Sequence, residues 1–441
     1  MKGRKKMSNL DKPQAAPEIA ARIVDPASYV EWDGLLNDFD TLRNSMPVAW
    51  IDNGDMHEPF WLVTRHEDVM RISKDNAGFL NNPKSAVLAL TSGDALVRGI
   101  TGGSPHLVES LVTFDGPTHM KYRKLTQSWF MPKNLKMLED EITALASATA
   151  DRLVAAAQAS DDGVVDFVPL VSSPYPLHVI MQILGVPEED EQRMLFLTQQ
   201  MFGGQDEDLN KNGLADMTPE QITQLVAGAV ADFEAYFAKI TEEKRAKPTE
   251  DVASVIANAV VDGAPLDDRA MAGYYIIVAS AGHDTTSASI AGAMMALAQD
   301  PDQFARIKAD RSLLPGLIEE AIRWVSAVQH FMRTAAQDVQ LGDAHIKKDD
   351  WLMLSYVAAN HDDAVFDDPR AFDAARSPNR HMAFGAGAHQ CLGLHLARLQ
   401  MRIIFDALLD RVEGLELAGE PRRAKSTFVG GLKTLPLRIA T

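Results

Sequence analysis

A mainly α-helical domain with a minor β component is the fold class this sequence predicts, and three observations carry the prediction. Apolar residues recur at helical spacing through much of the middle of the chain. One helical stretch, between Pro265 and Pro301, is long enough to cross a domain. Residues of strand character are few and gather in short runs, near the N-terminus and again around Trp351.

The first twenty residues are polar and rich in Ala and Pro, and are expected to form a loosely held arm (1–20) ahead of a single domain spanning 21–441. Val48 to Ile51 and Phe60 to Val63 have the aromatic and β-branched content of paired strands. Asp52, Asn53 and Gly54 turn the chain between them, so a small N-terminal β-sheet is expected. Leu135 to Ala157 and Pro219 to Lys244 read as helices, the second with acidic residues early and basic residues late. After Pro265, Asp267 and Asp268 offer carboxylates to free N–H groups, and the pattern runs to Asp300 before Pro301 stops it. As one central helix it would measure roughly 45 Å. Leu314 to Val325 is a further helix, Trp351 to Tyr356 is strand-like, and a Pro- and Asp-rich meander leads to a last helix from Cys391 to Leu409. There is no internal repeat.

A formal net charge of −18 argues against general nucleic-acid binding, which needs a surplus of Lys and Arg on at least one face. One cysteine in 441 residues excludes an intrachain disulfide, a four-cysteine zinc site and an all-cysteine iron–sulfur cluster, and fits a reducing, cytoplasmic setting. The opening MKGRKKMSNLDKPQAAP has no apolar stretch behind its lysines and so lacks the core of a secretory signal. The longest apolar region, around Tyr274 to Leu297, is interrupted by Ser280, Gly282, His283, Asp284 and Thr285. It is expected to be a buried helix and not a membrane span.

The single thiol sits in Phe384-Gly385-Ala386-Gly387-Ala388-His389-Gln390-Cys391-Leu392-Gly393, a glycine-rich turn feeding a helix. Glycines let backbone lie against a flat ligand, and the free N–H groups of Leu392 and Gly393 at a helix start would favour a thiolate. Two other readings of the same residues stay open: a small buried apolar cysteine, or a zinc site shared with His381, His389 or His395.

Two more constellations stand out. Ala281-Gly282-His283-Asp284-Thr285-Thr286 puts an acid and a hydroxyl inside an apolar helix, where both are locally unfavourable. They are either packing and surface-pairing residues or a polar device facing a cavity. Glu320-Ala321-Ile322-Arg323 places an acid and a base on one helix face, which alone could be a weak surface ion pair.

Taken together and in this order, the three strings resemble the cytochrome P450 family, with the resemblance covering nearly all of the chain after the arm. AGHDTTS, FMRT from Phe331 to Thr334, PNRH before the cysteine loop and FVGG from Phe428 to Gly431 are similar to the bacterial, soluble, ferredoxin-dependent class and its terpineol-hydroxylating branch. The resemblance implies a cytochrome P450 fold and a haem b with Cys391 as axial thiolate. It also implies Asp284 and Thr285 as the proton-handling pair, and Glu320, Arg323 and Arg376 as a structural trio. By the family pattern, His119, Arg123, Arg333, His389 and Phe384 would contact haem. Val278, Ala281, Phe331, Met332, Phe428 and Val429 would line the substrate pocket, with loops near 85–110 and 200–215 controlling access. His389 departs from the arginine frequent at its position, as does His361 after Asn360.

The expected activity is a monooxygenase that hydroxylates a small hydrophobic substrate, a terpenoid or an aromatic hydrocarbon, with O2. Electrons would come from a [2Fe-2S] ferredoxin and its NADH-dependent reductase, because the chain has no dinucleotide-binding strand–GxGxxG–helix unit of its own. Lys121, Arg123, Lys124, Arg398 and Arg402 are the expected docking patch. A haem-thiolate gas or redox sensor without turnover is the alternative. No nucleic acid and no membrane are expected as partners.

Overall fold

Proline at the first helical position lacks only an N–H that would have no helical partner, and it opens α1 (Pro17–Val24). The computed structural model, which describes residues 12–202, 204–208 and 218–441, buries Ile19, Ala20, Ile23 and Val24 of this helix. The segment before α1 joins the sheet: Trp50 N–H donates to the Pro13 carbonyl at 2.7 Å, and Ala15 N–H to the Trp50 carbonyl at 3.1 Å. The expected loose arm is therefore corrected for residues 13–20, whose apolar face has a core to cover. Residues 1–11 of that arm lie outside the described residues.

Strands β1 (Val48–Ile51), β2 (Phe60–Val63), β3 (Phe79–Leu80), β4 (His330–Ala335) and β5 (Trp351–Ser355) form one mixed sheet in the order β1-β2-β5-β4-β3. β5 runs parallel to β2, with Trp351 opposite Phe60, and the other pairs are antiparallel. Side-chain alternation separates the faces. Phe60, Leu62, Met332, Trp351 and Met353 pack toward α1, while Trp61, Val63, Leu352 and Leu354 pack on the other side together with the half-buried Phe331.

The helices that build the site are α2 (Gly116–Gln127), α3 (Glu139–Ala159), α4 (Pro174–Ile183), α5 (Glu191–Phe202) and α6 (Pro219–Ala246), followed by α7 (Asp268–Ala281), α8 (Asp284–Gln299), α9 (Leu314–Val325) and α10 (Leu394–Arg411). Their main core gathers α3, α4, α6, α7, α8, α9 and α10 around Phe233, Phe237, Tyr274 and Tyr275. Among the described residues no helix is long and apolar enough to cross a membrane. The 85–110 stretch contains a helix, Thr91–Thr101, and the 200–215 stretch lies in part outside the described residues.

Two expectations about helices need correction. The single long helix is two, α7 and α8, broken at Gly282 and His283. Side chains take the carbonyls that the ladder would use: His283 Nδ1 donates to Ala279 O at 3.0 Å, and Thr285 Oγ1 donates to Ala281 O at 3.2 Å. A Cβ at position 282 would collide with Ile180 and lie 2.9 Å from the Val278 carbonyl, so only glycine fits the break. The last helix begins at Leu394 and not at Cys391, because Gly387–His389 forms a short 3₁₀ turn and Gln390 is extended.

Candidate active site

Between the Gly282 break and the cysteine loop lies the main cavity, about 1540 Å³ including its open mouth. Val278, Ala281, Thr285 and Thr286 line it from α7 and α8. Phe384, Gly385, Cys391 and Gly393 line it from the loop, and Phe331 and Arg333 from β4. Cys391 is deep in the protein yet open to this space. Its N–H donates to the Phe384 carbonyl at 2.8 Å, closing the loop, and its sulfur accepts the Gly393 N–H. Burial pushes the thiol up, against the Gly393 N–H and the Arg123 and Arg398 charges.

A second group of lining residues is basic. His119, Arg123, Arg333 and His389 meet in the cavity wall, with the two imidazole rings 4.0 Å apart. His119 Nε2 is buried without a partner. Burial and the neighbouring His119, Arg333 and Arg123 force His389 down to about 3, and burial likewise lowers Arg123 and Arg333. Asn81, which sequence reasoning missed, donates to Asp115 at 3.0 Å and lies 3.0 Å from His389 Nε2. Nothing in the string around Asn81 marks it.

Glu320 and Arg323 are fully buried and not a surface pair. Arg323 donates from Nε and Nη2 to Glu320 at 2.8 and 2.7 Å, and Arg376 Nε donates to both carboxylate oxygens at 3.1 Å. Arg323 Nη1 also donates to the carbonyls of Asn360 and Pro369, so the trio fastens α9 to the meander that carries the cysteine loop. Arg398, paired with Glu319, lies 4.8 Å over the Phe384 ring.

Comparison with known proteins gives the family. The cytochrome P450 family model matches residues 51–433. The chain is a cytochrome P450. Cytochrome P450-terp of a Pseudomonas species is 41% identical over 98% of this chain and 99% of its own length. Linalool 8-monooxygenase of Pseudomonas putida is 31% identical over 90% of this chain and 93% of its own. The crystal structure of CYP108D1 from Novosphingobium aromaticivorans is 60% identical, with a TM-score of 0.89 over 97% of this chain and 99% of that one. A Mycobacterium marinum cytochrome P450 in complex with pseudoionone is 28% identical, with a TM-score of 0.83 over 98% and 99%. The protein is thus a monooxygenase of the haem-thiolate kind. It uses O2, a hydrophobic substrate and an electron-transfer partner, and Cys391 is its single cysteine.

The residues present fit haem. A coordinated metal cation would hold the buried Cys391 thiol deprotonated outright. The orphaned His119 Nε2, the half-buried or buried Arg123 and Arg333 guanidiniums and the His389 ring held neutral beside them are what two propionates would satisfy and neutralise. The zinc reading is not supported: among the described residues no three His, Cys, Asp or Glu side chains converge as a metal set. His381 instead faces Glu319 at 3.2 Å.

Of the substrate-lining residues expected from the sequence, Val278, Ala281 and Phe331 line the cavity, whereas Met332, Phe428 and Val429 do not. Met332 alternates onto the opposite face of the sheet and is fully buried there. Phe428 packs behind Phe331, ring centroids 5.4 Å apart, and Val429 bridges to Val328, which itself lines the cavity. Thr285 lines the cavity. Asp284 does not: its carboxylate is 3.0 Å from His283 Nε2 and its side chain is 33% exposed.

The expected docking patch is largely committed elsewhere. Lys121 pairs with Asp262, Arg398 with Glu319 and Arg402 with Glu139, and Arg123 lines the cavity, leaving Lys124 as its exposed cation without a described ion pair. His361, which the sequence left uninterpreted, is a buried core imidazole: Nδ1 donates to the Val357 carbonyl at 2.9 Å, and the ring meets Trp32 edge-on.

Proposed function

We propose that this cytochrome P450 hydroxylates a small terpenoid or aromatic hydrocarbon, with electrons delivered from NADH through a reductase and a [2Fe-2S] ferredoxin. The observation that carries the substrate class is the wall of the cavity above Cys391. Ile180, Val278, Ala281, Val328 and Phe331 make it apolar, with few side-chain hydroxyls, Thr285, Thr286, Ser289 and Tyr356, among its lining residues. The relatives named for a terpene, for linalool and for a pseudoionone complex support the same class. Such a wall binds by burial and not by hydrogen-bond readout, so related hydrocarbons would compete for it.

When bound, the thiolate-ligated haem activates O2 and places one oxygen atom into a substrate C–H bond. His119, Arg123, Arg333 and His389 orient it through its propionates, and Cys391 anchors it. The apolar wall holds substrate and excludes water. Thr285 Oγ1 donates to the Ala281 carbonyl at 3.2 Å in this structure, which leaves its lone pairs to accept a hydrogen bond from a donor in the cavity. Asp284 reaches solvent with a third of its side chain and carries protons inward from there. One cysteine leaves no room for an internal iron–sulfur relay, which supports an external ferredoxin. With most of the expected cations already paired, its docking would depend only modestly on salt.

A spectrophotometric titration of the haem-loaded enzyme tests the substrate class. Terpineol, linalool, naphthalene and a long-chain fatty acid would be compared for their conversion of the iron to high spin. Saturable conversion by the first three at low concentration, and product from them with ferredoxin, reductase and NADH, is the expected result. A response confined to the fatty acid would sink it, and binding without turnover would turn the reading toward a sensor.

A further inference from the structure

We infer that His283 is a positioning residue for the reaction, holding at Nε2 the proton that Asp284 delivers and keeping that acid turned away from the cavity until the proton moves. This rests on the role proposed above for Asp284. His283 is fully buried in the break between α7 and α8, and its two nitrogens have unlike surroundings. Nδ1 lies 3.0 Å from the Ala279 carbonyl, which only accepts, so Nδ1 carries a hydrogen in either charge state. Nε2 faces two oxygens, Asp284 Oδ1 at 3.0 Å and, more weakly, Thr198 Oγ1 at 3.5 Å. The one hydrogen of the Thr198 hydroxyl goes to the Leu195 carbonyl at 2.9 Å, so toward His283 that oxygen can only accept. An ionised carboxylate also only accepts. A bare Nε2 would set lone pair against lone pair in a dry site, so the group needs one proton there.

Among the described residues, the elements packed around the ring bring no competing charge. Thr198 comes from α5, Ile180 from α4 lies against Gly282, and Asp284 is the charged group acting on the imidazole among the described residues. Burial opposes an imidazolium, but the Asp284 charge, its hydrogen bond and the Ala279 carbonyl outweigh it and set the pKa above the ordinary histidine value.

The step balances. The Nε2–H bond breaks and its electron pair stays on nitrogen, an O–H bond forms on Asp284, and the ring becomes a neutral imidazole that keeps its Nδ1–H on Ala279. The ion pair that fixed the carboxylate is then gone, and the neutral acid can turn toward Thr285. Solvent, which reaches Asp284, restores the lost proton. Because Thr198 belongs to α5, a shift of that helix changes the acceptors around Nε2 and so the readiness of the proton.

The test uses haem-loaded enzyme in its reduced, carbon monoxide-bound form with ¹⁵N-labelled histidine. The resonance that disappears in His283→Gln should show both ring nitrogens protonated at pH 7 and should titrate above the ordinary 6.5. A neutral ring with hydrogen on Nδ1 alone overturns the inference. In parallel, NADH oxidation driven through ferredoxin with terpineol gives the pH profile. His283→Gln keeps a donor for Asp284 but no transferable proton, so its rate should drop roughly tenfold, less than the ~10²-fold of a directly acting acid. Its decline with rising pH should also begin at lower pH than in the parent. Thr198→Val, which removes only an acceptor, should move that decline the same way and less far. A parent-like profile in His283→Gln overturns the inference. Parent-like turnover in Asp284→Asn defeats the Asp284 reading itself, whereas a slowed Asp284→Asn beside a parent-like His283→Gln defeats only the role given to His283.

Discussion

The hydroxyl of Thr285 sits at the point where the helix ladder is interrupted, bonded to Ala281 and facing the cavity. Removing it releases the Ala281 carbonyl but leaves Gly282 and the His283 bond to Ala279 to hold the break, and it takes a hydrogen-bonding oxygen from the cavity wall. Thr285→Ala should therefore fold and bind substrate normally while diverting most NADH-derived electrons to hydrogen peroxide, measured as peroxide against hydroxylated product. Unchanged coupling would remove the role given to Thr285. Glu320 behaves differently, because it is not among the residues lining that cavity and instead accepts from Arg323, Arg376, Asn379 and the Asp373 N–H. Glu320→Ala leaves two buried guanidinium groups short of their carboxylate, at a cost of ~3–5 kcal/mol, and should yield little haem-loaded protein. A thermal melt of parent and variant checks it. Glu320, which alone could have been half of a surface ion pair, was marked only by the family resemblance, whereas Thr285 was legible in the sequence because a polar side chain inside an apolar helix needs a reason. His283 lay in the same string, but its partner Thr198 is 85 residues away, and no local pattern announces such a meeting. Asn81 and its bond to His389 were hidden for the same reason, at a separation of 308 residues.

At the scale of elements, β4 shows what one residue of register does. Phe331 and Arg333 point to the cavity side, and Met332 between them points to the core behind the sheet. Phe331→Ala should weaken substrate-induced spin conversion several-fold with little change in melting temperature. Met332→Ala should leave substrate binding intact and cost ~2–5 kcal/mol of stability. Reversed outcomes would mean that the strand register is wrong. The resemblance carried by FMRT put both Phe331 and Met332 in the pocket, whereas neighbours on a strand face opposite ways and only one of the two can line it. The long helix was misread for a related reason: helical apolar spacing resumes beyond Gly282 and His283, while the break is made by side chains capturing carbonyls at Ala279 and Ala281. The ends of α9, and of the strands β1 and β2, were legible because turn residues and a proline bound them locally.

Across the whole molecule, buried histidines set the response to acid. Burial holds His330 down to about 4, and burial together with the Arg323 charge holds His361 down to about 3, against an ordinary 6.5. Both are neutral in the fold and charged in the unfolded chain between those values, so unfolding takes up protons there. Their contribution is in place above pH 6.5 and is lost as the pH falls toward 4 and then 3. Denaturant melts at a series of pH values should show stability declining below that point. His361→Asn should flatten the decline, and a slope unchanged by it would refute the assignment. Fold class was readable at this scale from helical spacing along the chain, and the family from three motifs that stand in a fixed order. The anchored N-terminal segment was not, since its partners on the sheet are distant in sequence.

Haem-thiolate chemistry in this chain depends on the bond from Cys391 sulfur to haem iron, and one spectrum addresses it. Purified, haem-loaded protein is reduced and exposed to carbon monoxide. The parent should give the strongly red-shifted Soret band of thiolate ligation, and Cys391→His, with haem retained, should lose it. A folded, haem-loaded parent without that band would contradict the assignment.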